Sequence, residues 1–447
     1  MKYSPLKYYT DASRKPLIFH VIDVGGGLMI LLIFPDLTVM LYDCNVTEDN
    51  KQRVLGYLEN HIPSRLNHAT LQQEKWIDIY VNSHRDQDHY RGLSSVKEIF
   101  DVRQIWDSGE TGATTQDTDY QYYMRLRRRL IEQNGKSAVF VPTPSLKPIL
   151  SLGGAAIYCL NSSEDVVLSR PQSEYLAEAK VQHTNSIVLS ITYSGHNIML
   201  PSDSDWHAWK DHIIPVFKGK TCLNGDILVA SHHGSRSFFT DENNDGIDLK
   251  QNPDTTYLDA LKLIDPKITL ISCGDYSQYH HPNVDALKEY KLHTSNKQVY
   301  TTNAKGTFAG CINSDGTWTV VPSRFRSKSI GSGNFDIRCI STCEGQSVTI
   351  NSGATVRTGS SLEFSIAVSG GITDPQDSVE VWWEVSNGGV GLDHDHQEIY
   401  YKDKNESGGK YKFTRVVSYK GTHLLRVYLS NKKKRIYLTR IFVVTGK

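Results

Sequence analysis

Apolar and polar positions follow two different patterns along the chain. Up to about residue 295, short apolar runs of strand length alternate with stretches of helical periodicity. Trp76–Asn82 and Ile268–Ile271 are predicted strands, and 50–61 and 118–134 are predicted helices. Strands and helices mixed in this way predict an α/β fold in which helices cover the sheets.

Beyond residue 321 the pattern becomes that of an all-β domain. Residues 322–346 are predicted to be a linker, because their first half is rich in Ser, Gly, Arg and Lys. From 347 to 447 helical periodicity disappears, and short alternating strands separated by turn residues follow one another. The sequence therefore predicts an N-terminal α/β domain over 1–321 and a small β-sandwich over 347–447.

Composition indicates a globular protein and the compartment in which it is expected. With 447 residues, of which 39% are hydrophobic, the chain is expected to fold into globular domains. No apolar run reaches the length of a membrane span, and the N-terminus lacks the apolar core of a signal peptide. We therefore expect a cytoplasmic protein that does not bind a membrane. Seven scattered cysteines without a Cys-x-x-Cys pair favour neither a disulfide framework nor a zinc ribbon.

The strongest candidate chemistry directly follows the predicted strand Trp76–Asn82. His84, Asp86, Asp88 and His89 place four potential metal ligands in a run of six residues. Two carboxylates and two imidazoles held together are costly unless a cation neutralises and coordinates them. The pattern predicts a hydrolytic metal site, and the alternative is a polar loop that is merely rich in His and Asp.

Further polar positions flank other predicted strands or begin a predicted helix. These positions are Asp203, His183, Asn185, His232, His233, Ser235 and His281. A lone histidine beside a strand is more often structural, but a strand followed by a metal-binding side chain seldom recurs by chance. A fold is needed to say that these side chains meet in space.

The order of these motifs resembles that of the metallo-β-lactamase fold, and more closely the branch found in the cytosolic domain of the competence protein ComEC. The resemblance spans about residues 17–310 and is carried by Asp23-Val24-Gly25, Asp43-Cys44, His84-x-Asp86-x-Asp88-His89, Asn185-x-x-Val188, Asp203, His232-His233-Gly234-Ser235 and His281-Pro282. It implies an αββα sandwich with a one- or two-metal site along one edge. Members of the fold hydrolyse phosphodiesters, lactones, thioesters or β-lactams, and the ComEC-like branch is associated with DNA degradation.

The resemblance also implies which residues bind metal. His84 and Asp86 would hold the first ion, and Asp88 and His89 would hold the second, with His232 as a further ligand. The first group is rich in oxygen donors, which suits manganese as well as zinc. The expected cofactors are therefore two divalent metal ions, zinc or manganese.

Other positions would complete this site. By the same resemblance, Asp203 would bridge the two ions, and Asp43 would orient one of the metal ligands. His281 and Ser235 would face the substrate rather than the metals. The catalytic residues would be Asp88 and His281.

Two departures from the family pattern affect the site. Asn185 stands where many members of the fold have a histidine, although the ComEC-like branch often has asparagine there. His183 is an alternative source of the missing imidazole, and His233 is a further candidate ligand. Residues 25–29 read Gly-Gly-Gly-Leu-Met where the ComEC-like branch has Gly-x-Gly-Asp-Ser. That difference would change substrate handling but removes no core ligand.

The C-terminal domain resembles a second family over about residues 345–447. The pattern Trp383-x-Val385-x-Asn387-x-Gly389 is followed by Tyr419-x-Gly421-x-His423 and by alternating strands. This pattern is similar to the sensor domain at the C-terminus of bacterial nucleotidyltransferases of the adenylyl/guanylyl and SMODS type. The resemblance implies a domain that senses a ligand in anti-phage systems. The alternative is a generic β-sandwich with a buried tryptophan.

Together the two resemblances predict a metal-dependent phosphodiesterase or nuclease that acts in antiviral defence. Its substrate would be a nucleic acid or a nucleotide, and its partners would be proteins of a defence system. One alternative is a non-enzymatic scaffold that metal stabilises and that binds a partner. Another is a hydrolase of a small lactone or thioester.

Overall fold

The computed structural model describes most of the chain, as two units. The described residues are 15–67, 69–109, 117–162, 182–241, 249, 255–274, 281–322, 334–369, 379–388, 396–401, 412–418, 420–431 and 436–447. The chain separates into two compact units, Met1–Arg324 and Phe325–Lys447. No helix within the described residues is both long enough and apolar enough to span a membrane.

The N-terminal unit mixes strands and helices. Its strands are β1 Leu17–Val21, β2 Ile30–Ile33, β3 Val39–Tyr42, β4 Cys44–Asn45, β5 Arg65–Asn67, β6 Gln72–Glu74, β7 Trp76–Asn82, β8 Asp101–Asp107, β9 Val139–Phe140, β10 Leu150–Leu152, β11 Ala155–Asn161, β12 Val188–Tyr193, β13 His196–Leu200, β14 Ile227–Val229, β15 Ile268–Ile271, β16 Val299–Thr301, β17 Phe308–Ile312 and β18 Trp318–Pro322. Its α-helices are α1 Lys51–His61, α2 Gln87–Tyr90, α3 Leu93–Ile99, α4 Thr118–Asn134, α5 Ile214–Phe217, α6 Asp259–Ile264, α7 Val284–His293 and α8 Thr302–Lys305. The prediction of a mixed α/β fold is confirmed.

Two large sheets organise this unit. One has eight strands in the order β18-β17-β1-β2-β3-β7-β8-β9, and the other has seven in the order β10-β11-β12-β13-β14-β15-β16. Strands β3, β7, β8 and β9 pair in parallel, as do β13, β14, β15 and β16. Because the carboxyl ends of parallel strands share one edge, the loops that follow β3, β7, β13, β14 and β15 are available to form a site.

Alternating side chains place each sheet between two apolar layers. In β2, Ile30 and Leu32 pack into a core shared by the two sheets, whereas Leu31 and Ile33 pack on the opposite face with helices α1 and α4. A third cluster covers the outer face of the second sheet and includes Tyr290 of α7. Both sheets are therefore covered on both faces, and the apolar runs of the sequence are strands buried on both faces.

The C-terminal unit contains only strands among its described residues. They are β19 Asn334–Cys343, β20 Gln346–Ile350, β21 Ala354–Val356, β22 Ser361–Ser369, β23 Val379–Gly388, β24 His396–Tyr401, β25 Lys412–Val416, β26 Gly421–Asn431 and β27 Ile436–Gly446. A sheet in the order β20-β19-β22-β25 and a sheet in the order β21-β27-β26-β23-β24 contribute to one apolar core. Trp383 is fully buried there and stacks on Phe413, with ring centroids 5.3 Å apart.

The predicted linker over 322–346 is wrong in its second half. Asn334–Cys343 is a strand that pairs with β20 and β22 and buries Phe335 and Cys339. The basic and glycine-rich run before this strand concealed its start, while residues 323–333 lie outside the described residues.

Candidate metal centre

The segment from His84 to His89, which follows β7 and carries four predicted ligands, is bound at both ends by side chains of that strand. The side-chain amide of Asn82 donates to the carbonyl oxygen of His84 at 2.7 Å. The Tyr80 hydroxyl donates to the carbonyl oxygen of His89 at 2.9 Å. These two bonds fix the loop to a strand that lies inside the sheet and is buried along most of its length.

Gly27 allows the N-terminal glycine turn to approach this loop. Its φ is +111°, and a Cβ atom there would lie 2.8 Å from the carbonyl oxygen of Asp88. Only glycine fits such an approach. The turn is also tied to the second sheet, since the Ser272 hydroxyl donates to the Gly27 carbonyl at 2.8 Å.

Left-handed backbone conformations occur in the segments that follow β3, β13 and β14. Asp43, Ser202, His232 and His233 have φ values of 58°, 49°, 46° and 55°. A left-handed conformation costs a residue with a side chain about 1–2 kcal/mol. Such strain usually persists where it serves a function, so four cases in segments that contribute to the same cluster indicate a functional site.

Gly234 brings a second loop against the site. With φ +81°, it leaves no room for a side chain, because a Cβ atom would lie 2.7 Å from Cβ of Pro282. His281 thereby comes beside the two histidines that precede Gly234. Its ring centroid lies 5.1 Å from that of His232 and 6.3 Å from that of His233.

The predicted ligands converge in the folded chain. Their donor atoms form four overlapping groups, within each of which all atoms lie within 4.8 Å of one another: His84, Asp86 and His183; His84, His89 and Asp203; Asp88, His89 and His233; and His183, Asp203 and His232. The sequence motifs thus meet at one place although they come from four separate loops.

Asp203 lies at the centre of these groups. Its Oδ2 atom is 3.3 Å from Nε2 of His89 and 3.5 Å from Nε2 of both His232 and His233. The same oxygen lies 4.0 Å from Nε2 of His84. One half of the cluster is formed by His84, Asp86 and His183, and the other half by Asp88, His89 and His233. Asp203 lies between these two halves, as expected of a residue that bridges two ions.

His183 supplies the imidazole on the His84 side. Oδ2 of Asp86 lies 3.0 Å from Nε2 of His183 and 3.4 Å from Nε2 of His84. Asn185 is fully buried just beyond His183 in the chain. Of the two alternatives left open by the sequence, the structure places His183 with the other donors of this half.

His233 occupies the place that the resemblance gave to His232. Nε2 of His233 lies 3.3 Å from Oδ2 of Asp88, whose other neighbour is Nε2 of His89 at 3.9 Å. His232 instead faces His183, with ring centroids 4.3 Å apart. The two rings, with centroids 6.0 Å apart, thus have different neighbours although they follow one another in the chain.

Four buried polar atoms of the cluster have no hydrogen-bond partner within the described structure. They are Nε2 of His84, Nε2 of His89, Nε2 of His233 and Oδ1 of Asp203. A buried polar group without a partner costs roughly 1–3 kcal/mol. Their convergence fits a divalent cation, and nitrogen donors mixed with carboxylate oxygens suit zinc or manganese.

The Nδ1 atoms of these three histidines contact polar groups outside the cluster. Nδ1 of His89 donates to Oδ2 of Asp43 at 2.8 Å, and Nδ1 of His84 lies 3.0 Å from the Ser83 hydroxyl. On the second sheet, Nδ1 of His233 lies 3.1 Å from the carbonyl oxygen of Ser272. Contacts of this kind direct Nε2 of each ring towards the centre of the cluster.

Asp43 is the hub of these supporting contacts. Besides the bond from His89, its carboxylate accepts from the Ser83 amide and hydroxyl, both at 2.8 Å, and from the Ser202 hydroxyl at 3.1 Å. The structure thus places Asp43 where an orienting residue is expected. Ser83 and Ser202 were not identified from the sequence, where the only signal is their position directly beside predicted ligands.

The carboxylates of the cluster stay ionised at neutral pH. Burial alone would raise the pKa of Asp203, but the imidazoles of His89 and His233 outweigh it and hold that pKa well below its ordinary value. The pKa of Asp86 and that of Asp88 are also lowered, because neighbouring imidazoles outweigh their burial. Ionised carboxylates are the state that binds a metal.

His281 carries no charge at neutral pH. Burial is the main cause, and together with the nearby His233 it lowers the pKa of His281 to about 4. The neutral ring can donate one hydrogen bond to an anionic group beside the cluster.

Ser235 has a structural contact of its own. Its hydroxyl accepts from the Ser237 amide at 3.2 Å and caps the short turn Arg236–Phe238. Arg236 then fixes this turn to α7 through a buried ion pair, in which its Nε lies 2.8 Å from Oδ2 of Asp285. The substrate contact predicted for Ser235 stays a prediction.

One family model matches the C-terminal part of the chain. Residues 317–445 match the Adenylyl/Guanylyl and SMODS C-terminal sensor domain. The resemblance predicted for the C-terminal domain is thereby confirmed, and the match begins ahead of the predicted boundary at 347. The resemblance predicted for the N-terminal unit concerns residues outside this match and stays a prediction.

Comparisons with curated proteins and with solved structures do not indicate the function of the chain. No curated protein matches the chain. A chitin-binding domain from Burkholderia pseudomallei is 13% identical with a TM-score of 0.15, and the alignment covers 21% of this chain and 56% of that one. An engineered protein is 10% identical with a TM-score of 0.17, over 90% of this chain and 82% of that one. At such TM-scores neither structure indicates a fold or a function.

Proposed function

We propose that the chain is a metal-dependent hydrolase of phosphodiester bonds whose N-terminal unit has the metallo-β-lactamase fold of the ComEC-like branch. The observation that carries the proposal is the convergence of buried donor atoms without hydrogen-bond partners on Asp203. The covering of both sheets on both faces supports it, as does the position of the cluster at the carboxyl ends of parallel strands.

The predicted ligands would bind two ions. His84, Asp86 and His183 would hold one ion, Asp88, His89 and His233 the other, and Asp203 would contact both. Divalent ions bound there would supply Lewis acidity, which lowers the pKa of an attacking water towards about 7 and neutralises phosphate charge.

The most exposed side chains of the cluster are two carboxylates. The side chains of Asp86 and Asp88 are 38% and 37% exposed, whereas those of His84 and His89 are fully buried and that of Asp203 is 4% exposed. A substrate would therefore approach past the two exposed carboxylates. His281, beside the cluster and neutral, would donate a hydrogen bond to a phosphate oxygen on which charge develops.

The C-terminal domain supports a regulated role. Its match to a sensor family favours an effector of anti-phage defence, in which a nucleotide bound by the sensor controls hydrolysis by the N-terminal unit. Comparison of the full-length chain with a chain that ends at Arg324 tests this part of the proposal. We expect the two proteins to differ in basal activity or in their response to added cyclic nucleotides. Equal activity with equal response would remove the regulatory role.

The catalytic part is tested on several substrates at once. Full-length protein is incubated with labelled DNA, RNA, a cyclic dinucleotide and a lactone, with manganese or with zinc. We expect hydrolysis of at least one phosphodiester, and its loss with a chelator or in Asp88→Ala. Hydrolysis of the lactone alone would overturn the substrate class. Bound metal without any hydrolysis would indicate a metal-stabilised binding protein instead.

A further inference from the structure

Two consecutive histidines divide between the two halves of the cluster. His232 and His233 both have left-handed backbone, and each places Nε2 at 3.5 Å from Oδ2 of Asp203. Beyond that shared neighbour their surroundings differ. His232 lies against His183, whereas His233 lies against Asp88.

This division makes the two halves unequal in donors. On one side His232 joins His183, and through it Asp86 and His84, in overlapping groups. On the other side Asp88, His89 and His233 form one group, and His89 also shares a group with His84 and Asp203. With Asp203 shared, the first half has one imidazole more than the second.

His232, like His233, is held by a hydrogen bond at its Nδ1 atom. Nδ1 of His232 lies 2.8 Å from the Ser237 hydroxyl, and this bond directs Nε2 towards Asp203. His232 is therefore oriented like the other imidazoles of the cluster and is not a loosely placed neighbour. A donor oriented in advance binds metal without first losing side-chain freedom.

We infer that His232 is an additional metal ligand of the half formed by His84, Asp86 and His183, so that this half binds its ion more tightly than the other half. The inference rests on the metal centre of the proposed function and deepens it. At limiting metal the chain holds one ion, in the half with more donors. The half formed by Asp88, His89 and His233 fills only as free metal rises, and hydrolysis that needs both ions follows the availability of metal.

Metal titration of the full-length chain tests this inference, with manganese as the probe and calorimetry or equilibrium dialysis as the readout. The matched variants are His232→Asn and His233→Asn, since asparagine tolerates the left-handed backbone of both positions. Wild type should show a tight and a weak class of bound manganese. In His232→Asn the tight class should weaken by at least about tenfold, which is the lower limit for loss of an orienting contact, while the weak class persists. In His233→Asn the tight class should persist and the weak class should be lost.

The outcomes separate the inference from the proposed function. If both variants weaken the same class, or if His232→Asn leaves both classes unchanged, the inference is wrong while the metal centre stands. If wild type binds no manganese or zinc, the proposed function itself fails.

A second pair of variants tests the inference if the first pair does not fold. His183→Ala and Asp88→Ala alter the same two halves from other loops, and circular dichroism reports their folding. His183→Ala should weaken the tight class and Asp88→Ala the weak one. The opposite assignment overturns the inference.

Discussion

The two units of the chain differ in what they bury. The N-terminal unit buries charged and polar side chains where loops from its two sheets meet, among them Asp43, His84, His89 and Asp203. In the described part of the C-terminal unit the buried polar side chains are Ser341 and Ser360, and the other buried side chains are apolar apart from the indole nitrogen of Trp383, which has no hydrogen-bond partner there. A core of apolar residues needs no ligand, whereas buried polar atoms without partners cost stability until something binds them. The chemistry of the chain is therefore expected in the N-terminal unit.

The largest effect is expected from Asp203→Asn. This carboxylate lies between both halves of the cluster, and its amide analogue lacks the charge that two cations need. We expect bound metal to fall in both halves and hydrolysis to drop by more than the roughly 100-fold that loss of a supporting contact causes. Elemental analysis and an assay on the same preparation measure both quantities.

Asp226→Asn provides the control for this substitution. Asp226 precedes β14 at the opposite end from the cluster and accepts from the Asn197 amide at 3.0 Å. Its replacement should cost some stability and leave bound metal unchanged. Equal loss of metal in both variants would mean that Asp203 acts only through the fold.

His281→Ala should separate substrate contact from metal binding. The ring lies beside the cluster but belongs to none of the four donor groups found in the described residues. We expect metal content near that of wild type, with hydrolysis lowered about 100-fold or more, the range for loss of a hydrogen-bond donor to developing charge. A variant that has lost metal would place His281 among the ligands instead.

Asp43→Asn should weaken metal binding without removing any ligand. The substitution keeps the shape of the side chain but removes the charge that His89 and the two serine hydroxyls contact. We expect metal affinity to fall by about 10- to 100-fold, and excess metal to restore hydrolysis. Titration of apo protein measures the affinity, and an unchanged value would contradict the orienting role.

Substitution of one buried tryptophan in each unit compares the stability of the two units without changing a predicted metal ligand. Trp383 and Trp209 are both fully buried, the first in the C-terminal core and the second in the N-terminal one. Each replacement by alanine should cost about 3–5 kcal/mol of unfolding free energy. Trp383→Ala should leave the metal content unchanged, and denaturant unfolding with elemental analysis checks both statements. Loss of metal in Trp383→Ala would show that the N-terminal site depends on the C-terminal unit.

The ligand run and the strands around it are readable from the sequence. An apolar run long enough for one strand, Trp76–Asn82, ends directly before four ligand types in six residues, and the structure places both as expected. The same holds for Asp203 after β13. Local patterns suffice where a strand end fixes the position of a side chain.

Features that depend on single dihedral angles or on distant pairing are not readable in this way. The assignment of His232 and His233 to different halves depends on two positive φ angles in a row. Strand β17 completes the first sheet by pairing Ile312 with Leu17, nearly the whole unit apart in sequence. The strand Asn334–Cys343 was hidden by the composition of the residues before it.

The most direct test of the account is the metal content of the wild-type chain. Full-length protein is stripped with a chelator, equilibrated with manganese or zinc, freed of unbound metal and measured by elemental analysis. The account predicts two divalent ions per chain at saturation, since the buried donors around Asp203 form two halves. A saturated protein that retains no divalent metal would contradict it.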